Sequence, residues 1–248
     1  MHKMTTETAL VIGGTGGIGE AIVRVLAAKS FRVGFTYCRN EAKARELERL
    51  AGTEVSAHPL DLTQPSGVPA ALARIVEALG KIDVVVFSPA SAIQFSPFFS
   101  TAWAEFQTHY EVQARGLFET VKALQPQFKL KHRTKIIVVL TEACVGKPPS
   151  RMSDYLTAKY ALMGLSKALA VELAPYQGTV NMVSPGMTPT GLIEKLPPKM
   201  LEITAETNPL KRITAPEDVA QAVAYLASKA ADYLNGVHLP VNGGGTMV

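Results

Sequence analysis

The run Gly13-Gly14-Thr15-Gly16-Gly17-Ile18-Gly19 constrains this chain more than any other stretch. It follows the apolar segment Ala9-Leu10-Val11-Ile12 and precedes a helical pattern from Glu20 to Leu26. A chain that passes from strand to helix through residues without side chains turns tightly, and a phosphate can approach its backbone. A pyrophosphate then rests on helix N–H groups at the positive end of the dipole. Two registers fit: Gly14, Gly16 and Gly19 give G-x-G-x-x-G, and Gly13, Gly17 and Gly19 give G-x-x-x-G-x-G. A ligand-free tight turn is the bland alternative. The strand before and the helix after favour a nucleotide site, with Thr15 and Ile18 among the residues lining it.

Beyond this turn, short β-rich runs alternate with helical patterns, which argues for crossover units and a parallel sheet. Strands are expected at Thr8–Ile12, Phe31–Tyr37, Glu54–Pro59, Asp83–Ser88, Lys135–Leu140, Thr179–Ser184 and Gly236–Val241. Helices are expected at Gly17–Ser30, Glu41–Ala51, Ser66–Leu79, Thr101–Lys131, Asp154–Ala174 and Pro216–Ser228. Val84-Val85-Val86 and Ile136-Ile137-Val138-Val139 lack polar alternation, as strands covered on both faces do. With 248 residues, no internal repeat and no low-complexity linker, one α/β domain spanning 1–248 is the simplest organisation. Gly186–Pro209, rich in Pro and Thr, reads as an irregular flap and a candidate substrate lid.

Composition excludes several function classes. The chain is 47% hydrophobic and 19% charged, which suits a large buried sheet and not disorder. No apolar stretch reaches membrane-spanning length, and Met1–Glu7 lacks the layout of a secretory signal. Cys38 and Cys144 have no CxxC spacing and none of the five histidines stands in a metal-ligand pattern, so the expectation is reduced thiols, a cytoplasmic protein and no metal. A net charge of +4 fits anionic ligands, but the cations are spread out and offset by 21 acids, so no nucleic acid is expected as partner.

The end of the second strand selects the cofactor. An acid there would bind ribose hydroxyls and repel a 2′-phosphate. The stretch here is Thr36-Tyr37-Cys38-Arg39-Asn40, with no acid before Glu41. Arg39, with Asn40 beside it, suits a 2′-phosphate, which points to NADP(H) over NAD(H). Asp61 is placed to accept from an adenine amino group, with Leu62 near the ring; a turn or cap role is the alternative for Asp61. Far downstream, Tyr155 and Lys159 stand four residues apart in an expected helix, so they share one face. A phenol is a poor acid/base near neutrality, and a neighbouring ammonium favours its ionised form.

At this point the chain resembles the classical short-chain dehydrogenase/reductase family, most closely its 3-oxoacyl-carrier-protein-reductase-like branch, over nearly all its length. The resemblance rests on Gly13/Gly17/Gly19, Asp61, Tyr155-x-x-x-Lys159, Asn181 to Thr190 with Pro185-Gly186, and the closing Asn235 to Gly244. It implies a single-domain Rossmann fold, a doubly wound seven-stranded parallel sheet flanked by helices. It also implies Tyr155 as acid/base, Lys159 as its electrostatic and ribose-binding partner, and Pro185, Gly186, Thr188 and Thr190 against the cofactor. Three positions depart from the family pattern. The substrate-polarising serine aligns with Thr141, although spacing to Tyr155 leaves Glu142 as an alternative. The asparagine that holds a relay water becomes Gln113. The Asn-Asn-Ala-Gly loop beside the cofactor becomes Phe87-Ser88-Pro89-Ala90.

The first functional expectation is an NADPH-dependent reductase of a small carbonyl, either a ketone or a 3-oxoacyl thioester borne by acyl-carrier protein, working as a homodimer or homotetramer. A catalytically weak nucleotide-binding scaffold and an NAD-linked alcohol dehydrogenase are the alternatives. The cluster Lys129, Lys131, His132, Arg133 and Lys135 reads as a solvated helix end or a dock for an acidic carrier. Phe95, Phe98, Phe99 and Trp103 read as pocket lining, core or subunit contact. Ala158, Ala161 and Gly164 would permit close helix approach.

Overall fold

The apolar runs assemble into one seven-stranded sheet in the order β3-β2-β1-β4-β5-β6-β7, with every neighbouring pair parallel. The computed structural model describes residues 6–52, 54–193 and 196–247. Residues 1–5 of the leader reading, and Glu194 and Lys195 of the flap, therefore lie outside the described residues. The strands are β1 Thr8–Ile12, β2 Arg32–Tyr37, β3 Val55–Pro59, β4 Val84–Phe87, β5 Lys135–Val139, β6 Thr179–Pro185 and β7 His238–Val241. The chain moves outward one way from β1 to β3, then returns to β4 beside β1 and moves outward the other way. Ligand crevices open at such a reversal, beyond the carboxyl ends of the strands.

Both sheet faces are covered, which is why the central strands read as continuous apolar runs. Ala9 and Val11 of β1 pack on one side with α1 (Gly17–Ala28), α2 (Glu41–Ala51) and a later helix, Pro216–Ala227. Leu10 and Ile12 pack on the other with α3 (Val68–Leu79) and with helical residues that follow β4 and β5, among them Leu117, Phe128 and Leu162. Pro216 opens its helix, and Asp218 accepts from the Ala215 N–H at 2.9 Å, as expected for a proline-and-acid start.

Two helical expectations need correction. The single helix read over Thr101–Lys131 is instead α4 (Trp103–Tyr110), a π-helical turn at Glu111–Arg115, α5 (Gly116–Ala123) and α6 (Gln125–Lys129). Pro126 in the first turn of α6 explains that last break, because proline is at home there and not in a helix interior. After α7 (Ser153–Glu172), the flap is not wholly irregular. It holds a 3₁₀ turn at Gly191–Ile193 and α8 (Pro198–Thr207), with Pro198 at the helix start. The helix Pro216–Ala227 is α9.

The first crossover depends on Gly19. A Cβ there would lie 2.1 Å from the Gly13 carbonyl oxygen, so strand end and helix start touch through backbone alone. Gly19→Ala should cost at least about 3 kcal/mol, read as a lower urea midpoint. Gly164→Ala is the contrast: nothing lies within 4 Å of its Cβ position in α7, and it should stabilise by up to ~1 kcal/mol. Equal midpoints for the two variants would refute this account of the turn.

Candidate active site

The site lies beyond the carboxyl ends of β1, β4, β5 and β6. β5 delivers Thr141, and the first two turns of α7 deliver Tyr155 and Lys159 to one face. Both side chains are buried, at 4% and 3% exposure. The Lys159 ammonium donates to the Val139 carbonyl at 2.8 Å and sits 5.6 Å from the centre of the Tyr155 ring. The Thr141 hydroxyl is hydrogen-bonded to the Tyr155 phenol, and its oxygen accepts from the Ala143 N–H at 3.4 Å. Glu142 turns away, where the Asn242 side chain and the Met187 backbone donate to it in a cavity of about 220 Å³ under α8. Of the two residues left open by spacing, Thr141 is the one that meets the tyrosine.

Burial dominates the electrostatics here. It pushes the Tyr155 phenol well above its usual range, and the Thr141 hydroxyl works against that shift. The Lys159 ammonium is held by the Val139 carbonyl, and burial depresses its own pKa to about 8. Burial also raises the neighbouring Cys144 thiol to about 11. Ile93, Ala143 and Leu156, with Phe95, Met152 and Leu192 beside them, enclose Tyr155 in an apolar wall. Of the expected aromatic cluster, Phe95 lines this wall, whereas Phe98, Phe99 and Trp103 are exposed.

A dinucleotide fits the adjoining crevice. The Gly13 N–H donates to Thr36 Oγ1 at 2.9 Å, and Gly13 has φ +85°, so the turn is held in a form only glycine adopts readily. The first intrahelical bond of α1 runs from Glu20 to Gly16, which leaves the amides of Gly17, Ile18 and Gly19 without intrahelical acceptors. Two loops close over this turn. A Cβ on Gly17 would lie 2.5 Å from Thr190 Cγ2, and one on Gly13 would lie 3.1 Å from the Ser88 carbonyl carbon and 3.0 Å from Pro89 Cα. The cradle thus has the backbone donors and close walls that a pyrophosphate needs. Pro185 and Gly186 bring the β6 loop to it, and Gly186 N–H is held by Val241 at 3.0 Å. Thr188 is tied to its own loop through the Gly186 carbonyl at 2.9 Å.

At the outer edge of the crevice the expected residues have mixed placements. Arg39 is exposed beside Cys38 and Asp61. Asn40 caps α2, accepting from the Lys43 N–H at 2.9 Å. Asp61 accepts from the Thr63 amide at 2.9 Å and its hydroxyl at 2.6 Å, so one carboxylate oxygen serves a turn. The Leu62 side chain is buried against Gly116, where apolar area is better removed from water. Gln113 is fully buried in the π turn, and its Oε1 has no hydrogen-bond partner.

Sequence reasoning missed Lys43, His109 and Asp154. Lys43 Nζ reaches the Thr15 carbonyl at 2.9 Å and Glu20 at 3.0 Å, directly beside the glycine turn. A cation in the first turn of a helix is placed against the dipole, and that was the available signal. His109 and Asp154 meet only across α4 and α7, which no local pattern reveals. The basic cluster, by contrast, is largely spoken for. Lys135 is buried, donates to the Ala227 and Ser228 carbonyls at the end of α9 and pairs with Asp232, which also holds Arg133.

A dinucleotide cradle at the sheet reversal, faced by a buried proton-bearing phenol, defines an oxidoreductase that works with a nicotinamide cofactor. The chain belongs to the short-chain dehydrogenase/reductase family: the family model described as enoyl-(acyl carrier protein) reductase matches residues 13–246. It is 33% identical over 249 residues to nodulation protein G of a Rhizobium species, covering 100% of both chains. It is 30% identical to oxidoreductase UcpA of Salmonella typhimurium, covering 100% of this chain and 97% of that protein. A solved 3-ketoacyl-(acyl-carrier-protein) reductase from Brucella melitensis, complexed with NADH, superposes with a TM-score of 0.88 at 26% identity, covering 97% of this chain and 98% of the other.

Proposed function

We propose that the protein is an NADPH-dependent reductase that converts an apolar ketone or 3-oxoacyl thioester to its alcohol. The observation that carries this reading is the protonated, buried Tyr155 phenol, hydrogen-bonded to Thr141 inside an apolar wall beside the glycine cradle. A nicotinamide cofactor, when held there, would supply the hydride. The chain supplies the rest. Thr141 donates to the substrate oxygen, and Tyr155 holds its proton until that oxygen becomes basic enough to take it. Lys159 keeps a positive charge beside the phenolate that remains and is placed to hold the nicotinamide ribose. The cofactor would be held by Gly13, Thr15, Gly17, Ile18 and Gly19 through its pyrophosphate, with Asp61 towards the adenine and Ser88, Pro185, Gly186, Thr188 and Thr190 towards the nicotinamide. NADPH consumption should be screened with acetoacetyl thioesters, quinones and small ketones. Cofactor binding without turnover on any of them would favour a scaffold protein of the same fold.

Arg39 and Lys43 carry the preference for a 2′-phosphate. Charge-assisted contacts of this kind contribute about 1.5–3 kcal/mol each, so Arg39→Ala and Lys43→Ala should each raise the Kd for NADPH by at least about tenfold and leave that for NADH nearly unchanged. One observation favours the NAD-linked reading: Glu20 pairs with Lys43 and offsets its charge. Equal or tighter NADH binding by the unaltered protein would decide for that reading. Tyr160 is exposed one turn before the open position at Gly164 in α7, and we assign this face to contact between copies in a homodimer or homotetramer. Among the described residues, no helix is long and apolar enough to cross a membrane.

A further inference from the structure

Beside Tyr155 lies a buried polar group that the proposed reaction does not use. His109 of α4 is 3% exposed, and Asp154, immediately before Tyr155 in α7, is 6% exposed. His109 Nε2 lies 3.5 Å from Asp154 Oδ2, and Gln113 Nε2 lies 3.4 Å from His109 Nδ1. The imidazole meets the Tyr155 ring edge-on, with ring centres 5.8 Å apart and planes at 79°. Three side chains that are costly to bury unpartnered are thus gathered against one phenol.

With the Gln113 amide oriented as it stands, the donors and acceptors admit one arrangement. Gln113 Nε2 can only donate, so Nδ1 accepts and carries no proton. Nε2 then bears the proton and directs it at the Asp154 carboxylate. This neutral Nε2–H form leaves the charge on Asp154 and agrees with the lowered proton affinity of the ring, which burial and the Lys159 charge depress against the opposing pull of Asp154 and Glu105. Both contacts are long for hydrogen bonds, as they commonly are before a site closes on its ligands. A second proton, on Nδ1, would set two donors against each other unless the Gln113 amide flipped to turn its unpartnered Oε1 to the ring. The π turn is what brings Gln113 to this position, and such turns are frequent at functional sites.

We propose that His109 is a positioning residue for Tyr155, with Asp154 and Gln113 acting through it by fixing its tautomer. The ring of Tyr155 is then held between the Lys159 ammonium and the His109 edge, so that its hydroxyl stays at Thr141 and the incoming carbonyl oxygen. This inference rests on the proposed reductase reading for its kinetic consequence but not for its geometry. It is therefore tested in both ways on the full-length protein.

His109→Phe keeps an edge-on ring, slightly larger, but removes both nitrogens. We expect kcat to fall at least tenfold with KM for NADPH changed little, and the thermal midpoint to drop because Asp154 and Gln113 lose their buried partner. Asp154→Asn retains an acceptor for Nε2–H and should keep kcat within about threefold, whereas Asp154→Ala should resemble His109→Phe. Wild-type kcat in His109→Phe, or equal kcat in the Asn and Ala variants, would overturn the proposal. Two-bond ¹H–¹⁵N correlation spectra of the imidazoles should show His109 as the Nε2–H tautomer, and the ring-carbon resonance of labelled Tyr155 should shift in His109→Phe. An Nδ1–H tautomer, or an unmoved Tyr155 resonance, would overturn it without any turnover assay. An unaltered protein that reduces no carbonyl would instead count against the proposed function alone.

Discussion

Tyr155→Phe is expected to lower kcat by about 10²- to 10⁴-fold, the range over which a positioned general acid contributes, while NADPH affinity stays within a few-fold of wild type. The substitution removes one oxygen and nothing else from a side chain buried among Ile93, Phe95, Leu156 and Leu192. The fold therefore has no reason to change, and cofactor contacts at the glycine turn are made by other elements. The phenol's raised pKa supports its role as donor in the reductive direction: it remains fully protonated at neutral pH and yields only to a strongly basic oxygen. Stopped-flow absorbance of NADPH and a fluorescence titration of binding separate the two quantities. Turnover within tenfold of wild type would end the assignment of Tyr155 as acid.

Lys159→Met should produce a comparable loss of turnover but an opposite signature in stability. Burial lowers the Lys159 pKa from 10.5 to about 8, so at neutral pH the folded protein carries an ammonium it would rather not hold. At 1.36 kcal/mol per unit this costs on the order of 3 kcal/mol, partly offset by the bond to Val139. The sign follows from proton counting. Between pH 8 and 10.5 the unfolded chain binds more protons at this site, so the group's contribution to stability rises with pH across that window. Cys144, whose pKa rises from 9.0 to about 11, works in the reverse sense above pH 9, which leaves pH 8–9 as the cleaner interval. The difference in urea midpoint between wild type and Lys159→Met should shrink or invert in favour of wild type as pH rises through it. A difference independent of pH would show that Lys159 is not held at a depressed pKa. Activity should fall over the same interval as the ammonium loses its proton.

Most of the sheet was legible because strands covered on both faces carry their signal locally, as Val84–Val86 and Ile136–Val139 do. The glycine turn was legible for a similar reason, since its spacing and its position between strand and helix are both sequential. The helix around Gln113 was misjoined because an apolar rhythm of 3.6 residues tolerates a wider turn without a visible break. The Pro126 signal was present and was overridden by that rhythm. Within the flap, Pro and Thr suggested loop, although Pro198 is suited to start a helix. The departures at the site were the hardest to read. Thr141 and Glu142 could not be separated by counting, because what separates them is the pull of Asn242 and Met187 on a carboxylate from distant parts of the chain. Leu62, His109 and Lys43 owe their surroundings to neighbours on other elements, and a single sequence records no such adjacency.

The widened turn at Glu111–Arg115 has a bearing on how this enzyme could diverge. It holds one residue more than the same arc of ordinary helix would need, while α4 and α5 on either side keep their seats. A one-codon deletion there would relax the bulge and swing Gln113 off its present heading, with the sheet undisturbed. The chain thus has a tuning point where ancestry can retool the chemistry of its reaction centre while inheriting the scaffold intact.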